Sequence, residues 1–223
     1  LADLLKDVSD TGIERIRFVT SHPWDFTDSM VDIIASRDNI MPYIHLPLQS
    51  GSNKILKLMN RKYTSEEYLK LYNSIRDKVK DSSVTTDIIV GFPGETEEDF
   101  EETLDVVRQA EYDSAYTFIY SKRTGTPAAN MPDQIPDDVV KERFNRLLQV
   151  VAESSAKRTG RLEGQTAEVL VEGISEQDPS MITGRLSNNL LVHFPGDESY
   201  IGKLCKVHLD QAKGFYYIGT MEG

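Results

Sequence analysis

The chain has 223 residues, 39% hydrophobic and 27% charged, with a formal net charge of −11. That balance belongs to the soluble globular class and argues against a broad basic surface for nucleic acid, while the single cysteine, Cys205, excludes a disulfide framework or a multi-cysteine metal site within these residues. No apolar window approaches the roughly 18 residues needed to cross a bilayer, and no charged-then-apolar leader is present, so the expectation is a cytoplasmic protein without a membrane partner.

Leu1-Ala2-Asp3-Leu4-Leu5 already lies inside an amphipathic helical pattern, which reads as a cut through a larger protein. That helix closes at Ser9-Asp10-Thr11-Gly12, and Ile13 to Thr20, rich in Ile, Phe and Val, reads as a strand. A loop from His22 to Thr27 leads into a helix over Asp28 to Ala35, with Thr27 as N-cap. Met41 to Leu46 is the next strand, followed by a turn and a short helix over Asn53 to Met59 that Ser52 can cap. Thr64-Ser65-Glu66-Glu67 fits a capping box opening a helix from Tyr68 to Val79. Ser83 to Val90 is a near-continuous apolar run suited to a buried parallel strand. Thr96-Glu97-Glu98-Asp99 repeats the capping pattern, and Ser114 to Tyr120 is a fourth strand. Strand and helix alternate, which implies a parallel sheet, and three strands exit into polar, Gly-bearing turns on one face, as in part of a (β/α) barrel.

The pattern changes after Thr126. Pro127, Pro132 and Pro136 punctuate an extended connector, and Asp137 to Lys157 reads as one helix. From about Glu163 five short strands follow: Thr166 to Val171, Ile182 to Leu186, Leu190 to His193, Leu204 to Leu209 and Phe215 to Thr220. These suit a small closed barrel of the OB type. The expected division is residues 1–161 for the α/β part with its linker helix and 162–223 for the all-β part.

Gln49 lies just past one strand, Asp87 within the next, and Arg61 ends the short helix after Gln49. An amide, a guanidinium and a carboxylate at a barrel mouth suit ribose hydroxyls and an amino-acid zwitterion, since the guanidinium fork binds a carboxylate bidentately. Separately they also fit a turn residue, a helix C-terminal cation and a backbone-paired acid. Phe92-Pro93-Gly94-Glu95-Thr96 is a turn with a helix cap that could also approach an adenine ring, and Lys122-Arg123 suits either phosphate or a solvated loop. His22, His45, His193 and His208 show no metal-binding spacing, and Cys205 reads as a packed core thiol. The linker helix is locally basic, with Lys141, Arg143, Arg146, Lys157, Arg158 and Arg161.

Four stretches carry a family resemblance: His45-Leu-Pro-Leu-Gln-Ser-Gly-Ser52, Leu56-Lys-Leu-Met-Asn-Arg61, Thr86-Asp-Ile-Ile-Val-Gly-Phe-Pro-Gly-Glu-Thr96 and Gly125-Thr-Pro-Ala-Ala129. In this order they resemble the radical S-adenosylmethionine (SAM) methylthiotransferases, and Thr20-Ser-His-Pro23 with Asp25-Phe-Thr-Asp28 is most similar to their MiaB branch, which acts on an isopentenylated adenosine beside the tRNA anticodon. The last 60 or so residues resemble a TRAM domain, an RNA-binding module. The resemblance implies that Gln49, Arg61 and Asp87, with Thr20 as a weaker candidate, bind SAM. It also implies that the TRAM barrel and linker helix grip tRNA, with Arg123, Arg158 and Lys213 as candidate contacts.

Such enzymes cleave SAM reductively, abstract hydrogen from C2 of the adenine, insert sulfur from a second cluster and transfer a methyl group from a second SAM. They need two 4Fe-4S clusters held by cysteines that this chain does not contain, so the expectation is a fragment that binds no cluster, is inactive alone, and leaves an open sheet edge for the missing N-terminal part. The related methylthiotransferases for threonylcarbamoyl-adenosine or a ribosomal protein are alternatives, as is a cluster-free RNA-binding module. From Glu163 onward nine acidic residues face four basic ones, which predicts weak, salt-sensitive tRNA binding by that segment alone.

Overall fold

The computed structural model describes residues 1–19 and 22–222. Three parallel strands, β1 (Tyr43–His45), β2 (Ser83–Val90) and β3 (Ser114–Ile119), form a sheet in the order β1-β2-β3. Alternation along β2 sends Val84, Thr86, Ile88 and Val90 to the helix side, where each is buried, and leaves Thr85, Asp87 and Ile89 on the inner face.

The helices α1 (Ala2–Ser9), α2 (Asp28–Ser36), α3 (Asn53–Leu58), α4 (Ser65–Lys78) and α5 (Glu97–Ala110) precede the long α6 (Asp137–Gly160). One core joins Met30 and Ile34 of α2, Tyr68 and Tyr72 of α4, Phe100 and Leu104 of α5, and Leu147 of α6 to the sheet. Both capping boxes form, Thr64 with Glu67 and Thr96 with Asp99. Ser52 occupies the N-cap of α3, but its hydroxyl donates to Asp99 (2.6 Å) and so ties the loop after β1 to α5.

The strand expected from Ile13 is reduced, over the described residues 13–19, to one bridge, Ile16 opposite Ile40. The Ile16 N–H donates to Asn39 O (2.7 Å) and the Met41 N–H to Ile16 O (2.9 Å). This segment lies at the open edge of the sheet, beside the residues that lead into β1, and the side chains flanking the bridge, Arg15 and Arg17, bond elsewhere. Val19 is 89% exposed and Ile13 52%, as befits an edge without a second neighbour.

The five later strands, β4 (Thr166–Ile174), β5 (Met181–Leu186), β6 (Leu191–Pro195), β7 (Leu204–Ala212) and β8 (Tyr216–Met221), close into a barrel in the order β4-β5-β6-β8-β7. Irregularities in β4 after Val171 and in β7 after Leu209 bend those strands around it. Val169, Ile182, Val192, Phe194, Val207 and Tyr217 fill its interior. Cys205 is buried there, and burial pushes its thiol up. Among the described residues no helix is long and apolar enough to cross a membrane, and no His, Cys, Asp and Glu gather as a metal-holding group.

Candidate functional site

The loops after β1, β2 and β3 all leave the C-terminal rim of the sheet, because the strands are parallel. Past His45 the chain leaves the ladder and rejoins it at Gln49. His45 pairs with Thr85, and Gln49 bridges Ile88, so one side advances by one residue more than the other. This is a bulge, a device that re-aims side chains at sheet rims. Thr86 Oγ1 accepts from the Leu48 N–H (2.9 Å) and holds the extra residue in place. Gln49 then donates its N–H to Asp87 O (2.8 Å) and accepts from the Ile89 N–H (2.9 Å). Its φ is 71°, a left-handed conformation that a residue with a side chain adopts at some cost, and it is 7% exposed.

The following loop passes so close to α5 that a Cβ on Gly51 would lie 2.5 Å from Glu102 O and Thr103 Cα. Gly91, in the loop after β2, has φ +77° and no room for a Cβ against Val140 of α6. Glycine is dictated at both places.

Asp87 is partly exposed on the inner face beside Tyr116 of β3. His45 Nε2 lies 3.3 Å from its Oδ2, His45 Nδ1 is 2.9 Å from Thr85 Oγ1, and Tyr43 OH is 3.2 Å from the same hydroxyl. A run of Tyr43, Thr85, His45 and Asp87 thus crosses the inner face to the rim.

Arg61 is placed by the end of α3. Asn60 takes a left-handed φ of 57°, its N–H donates to Lys57 O (3.0 Å) and the Arg61 N–H reaches back to Leu56 O (2.8 Å), a Schellman closure. The Arg61 guanidinium donates to His22 Nε2 (2.5 Å), which fixes the His22 proton on Nδ1 if the ring is neutral. Burial, reinforced by Arg61, pushes the His22 pKa down and favours that neutral ring. His22 stacks on Trp24 at 4.3 Å, and Lys62 stands over the Trp24 ring at 4.7 Å. Tyr63 donates to Pro47 O and Leu48 O (3.1 and 3.0 Å), and burial pushes its phenol up to about 12. Arg61 Nε and His22 Nδ1 are enclosed yet have no hydrogen-bond partner among the described residues.

The structure therefore sets Gln49 and Asp87 side by side and brings Arg61 to the same rim at one remove, through Tyr63. Thr20 lies outside the described residues. Arg123 is exposed on the loop after β3, and Lys213 is exposed in the β7–β8 hairpin. Arg158 is turned inward: its Nη2 donates to Ser82 O (3.3 Å) and its Nε stands 3.6 Å from Asp113. Most other basic residues of α6 and its C-cap are similarly occupied, Arg143 by Glu95 and Glu97, Arg146 by Glu97 and Glu101, Lys157 by Glu111, and Arg161 by Asp113, while Lys141 is exposed. The residues that sequence reading passed over are His22 and His45. The signal for both was position, each standing at a strand's exit or within a motif, and not spacing to another ligand.

A family model for the radical SAM superfamily matches residues 1–107, and one for the TRAM domain matches residues 160–221. The chain is 56% identical over 221 residues to the tRNA-2-methylthio-N(6)-dimethylallyladenosine synthase of Lachnoclostridium phytofermentans, covering 99% of this chain and 48% of that protein. The synthase of the same name from Thermoanaerobacter pseudethanolicus is 52% identical over 100% of this chain and 46% of its own length. The one from Staphylococcus saprophyticus is 51% identical over 99% and 43%. The chain thus spans about half the length of the curated relatives it matches. Among solved structures, the radical SAM enzyme coproporphyrinogen III oxidase of Escherichia coli aligns over 95% of this chain and 52% of its own, with TM-score 0.58 and 15% identity, which speaks to the fold alone. A three-stranded parallel sheet with its rim motifs, a closed five-stranded barrel and relatives along the whole chain lead to one conclusion: this chain joins a radical SAM segment to a TRAM domain, and along its whole length it is similar to proteins named tRNA-2-methylthio-N(6)-dimethylallyladenosine synthase.

Proposed function

We propose that this chain is the C-terminal half of a cytoplasmic tRNA methylthiotransferase that adds a 2-methylthio group to N6-isopentenyladenosine beside the anticodon. The relationship along 99% of the chain supports this reaction, and the rim geometry supports a division of labour within it. SAM, with the iron–sulfur clusters, supplies the hydrogen abstraction and the methyl group when bound.

The residues present fit SAM and not a cluster. Iron in such clusters is held by thiolates, and the sole thiol, Cys205, is enclosed in the second barrel. The clusters are therefore assigned to residues outside these 223. For SAM the donor set is suitable: Arg61 offers an enclosed Nε–H that lacks a partner among the described residues, Asp87 offers a partly exposed carboxylate, and Gln49, with its left-handed backbone, stands beside Asp87. Arg61 Nε, enclosed and without an acceptor among the described residues, is the observation that carries this assignment, because such a donor costs about 1–3 kcal/mol and a ligand acceptor removes that cost. Asp87 is oriented by His45, and Arg61 by His22 and by Tyr63's hold on the loop of Gln49. Arg123 and Lys213, both exposed, are the candidate phosphate contacts; Arg158 serves that role less well while it is held by Asp113.

The test is nucleoside analysis of tRNA from a strain lacking the gene. The 2-methylthio form of isopentenyladenosine should disappear and unmodified N6-isopentenyladenosine should accumulate. Loss of the 2-methylthio form of threonylcarbamoyl-adenosine instead, or no change in either base, would reject the proposal.

A further inference from the structure

Two polar seams join the second barrel to the sheet, and both use side chains with no part in the rim. The first lies on the inner face. Ile16 packs into the helix-side core, so Arg15 and Arg17 on either side of it project to the opposite face. Arg15 Nη1 donates to Arg185 O (3.0 Å) and its Nη2 to Glu168 Oε1 (3.1 Å). Arg17 Nη2 donates to Leu186 O (3.1 Å) and its Nη1 bonds Asn189 Oδ1. The acceptors belong to β4, β5 and the β5–β6 turn.

The second seam lies behind the sheet. The Asp113 side chain, 1% exposed, accepts from Arg76 Nη2 (2.7 Å), Arg161 Nη1 (2.8 Å) and the Val84 N–H (2.9 Å), with Arg158 Nε at 3.6 Å. Ser82 O accepts from all three arginines. Arg158 and Arg161 stand at the end of α6, from which the second barrel departs. Thr159 Oγ1 donates to Gly214 O (2.6 Å) in the β7–β8 hairpin, and Gly164 N–H donates to Leu209 O (2.8 Å). The helix end is thereby bonded on one side to the sheet and on the other to the barrel.

We infer that the TRAM barrel is not a tethered module but a fixed one, clamped by Arg15 and Arg17 on β4, β5 and the β5–β6 turn and by Asp113 on the end of α6, so that bound RNA meets the sheet rim at a set placement. Arg15, Arg17 and Asp113 are then positioning residues. The β5–β6 turn, whose Asn189 is held by Arg17, is withdrawn from RNA contact. The clamp stands on the hydrogen bonds alone; its role in presenting RNA rests on the tRNA reading above.

Amide 15N relaxation of the 223-residue chain tests it. The two halves should share one rotational correlation time in the wild type and separate in Arg15→Gln/Arg17→Gln and in Asp113→Asn. The arginine double variant alters only side chains at the edge of the sheet and keeps the test decisive where Asp113→Asn fails to fold. In the full-length protein the double variant should lower kcat several-fold and leave the Kd for tRNA unchanged. Separate tumbling in the wild type, or joint tumbling in the double variant, would overturn the clamp whatever the substrate. Separated halves with undiminished kcat on tRNA would overturn the positioning role.

Discussion

The rim of the sheet and the seam behind it are both polar, but the seam pairs its carboxylate inside the protein and the rim leaves its carboxylate partly open. At the seam, Asp113 has a partner for each of its oxygens, and Arg76 and Arg161 are spent on it and on Ser82, while Arg158 Nε, 3.6 Å from Asp113, is enclosed there without a hydrogen bond among the described residues. At the rim, Arg61 and His22 keep enclosed nitrogens without partners among the described residues, Gln49 holds a left-handed backbone, and Asp87 is partly exposed. Buried polar groups that are satisfied hold a fold together, whereas unsatisfied groups and backbone strain at a sheet rim mark where a ligand completes the structure.

The largest effect should come from the seam. Asp113→Ala leaves three guanidinium groups facing one another, and breaking such a buried pair costs on the order of 3 kcal/mol in a denaturant melt. A loss below about 1 kcal/mol would mean that the arginines find other partners and that the seam is not built on this carboxylate. Next is Gly51→Ala, whose Cβ would meet backbone atoms of α5 at 2.5 Å. Overpacking of that kind costs about 1–3 kcal/mol, and retention of full stability would show that the loop after β1 can move away from α5.

Asp99 links rim and core, accepting from Lys54 (2.5 Å), Ser52 (2.6 Å) and the Thr96 N–H (2.8 Å). Burial raises its pKa, but these donors outweigh it and lower the group to about 2. A carboxylate depressed in the native state contributes stability that is present above its unfolded value near 3.8 and is lost as pH falls through about 2. Asp99→Asn should therefore cost about 1–2 kcal/mol at neutral pH, with the gap to wild type narrowing across that acid window. A gap independent of pH would assign the loss to packing. The smallest effect belongs to the exposed cations: Arg123→Ala and Lys213→Ala should each reduce the salt slope of tRNA binding by about one without changing the fold. An unchanged slope would remove that residue from the phosphate contacts.

Much of the fold was legible in the sequence because local signals agreed with one another. Thr64 and Thr96 with their acids three residues on, the buried run of Ser83–Val90 and the five short strands all formed near their expected bounds. The strand from Ile13 was misread because β-branched residues report a preference for pleated backbone and not the presence of neighbours. Its composition is strand-like, yet over residues 13–19 it has a single bridging partner. Ser52 shows the same limit at one residue: it stands at an N-cap, but its hydroxyl accepts no helix N–H and donates to Asp99, 47 positions along the chain. Gln49 and Asp87 were visible because a parallel pair must place its exits together. The ties of His45 to Asp87 and of His22 to Arg61 were not, since both depend on side chains meeting across separate strands and loops. The local basic bias of α6 was visible in the sequence, but the acids opposite Arg143, Arg146 and Lys157 were not.

The most direct measurement is equilibrium binding of SAM to the full-length protein reconstituted with its clusters, comparing wild type with Arg61→Ala and Asp87→Asn. Losing a charge-assisted hydrogen bond is worth about 1.5–3 kcal/mol, so each variant should bind roughly 10- to 100-fold more weakly with its cluster spectrum unchanged. Unaltered affinity in both variants would contradict the account, and the rim would then have to be assigned to something other than the cofactor.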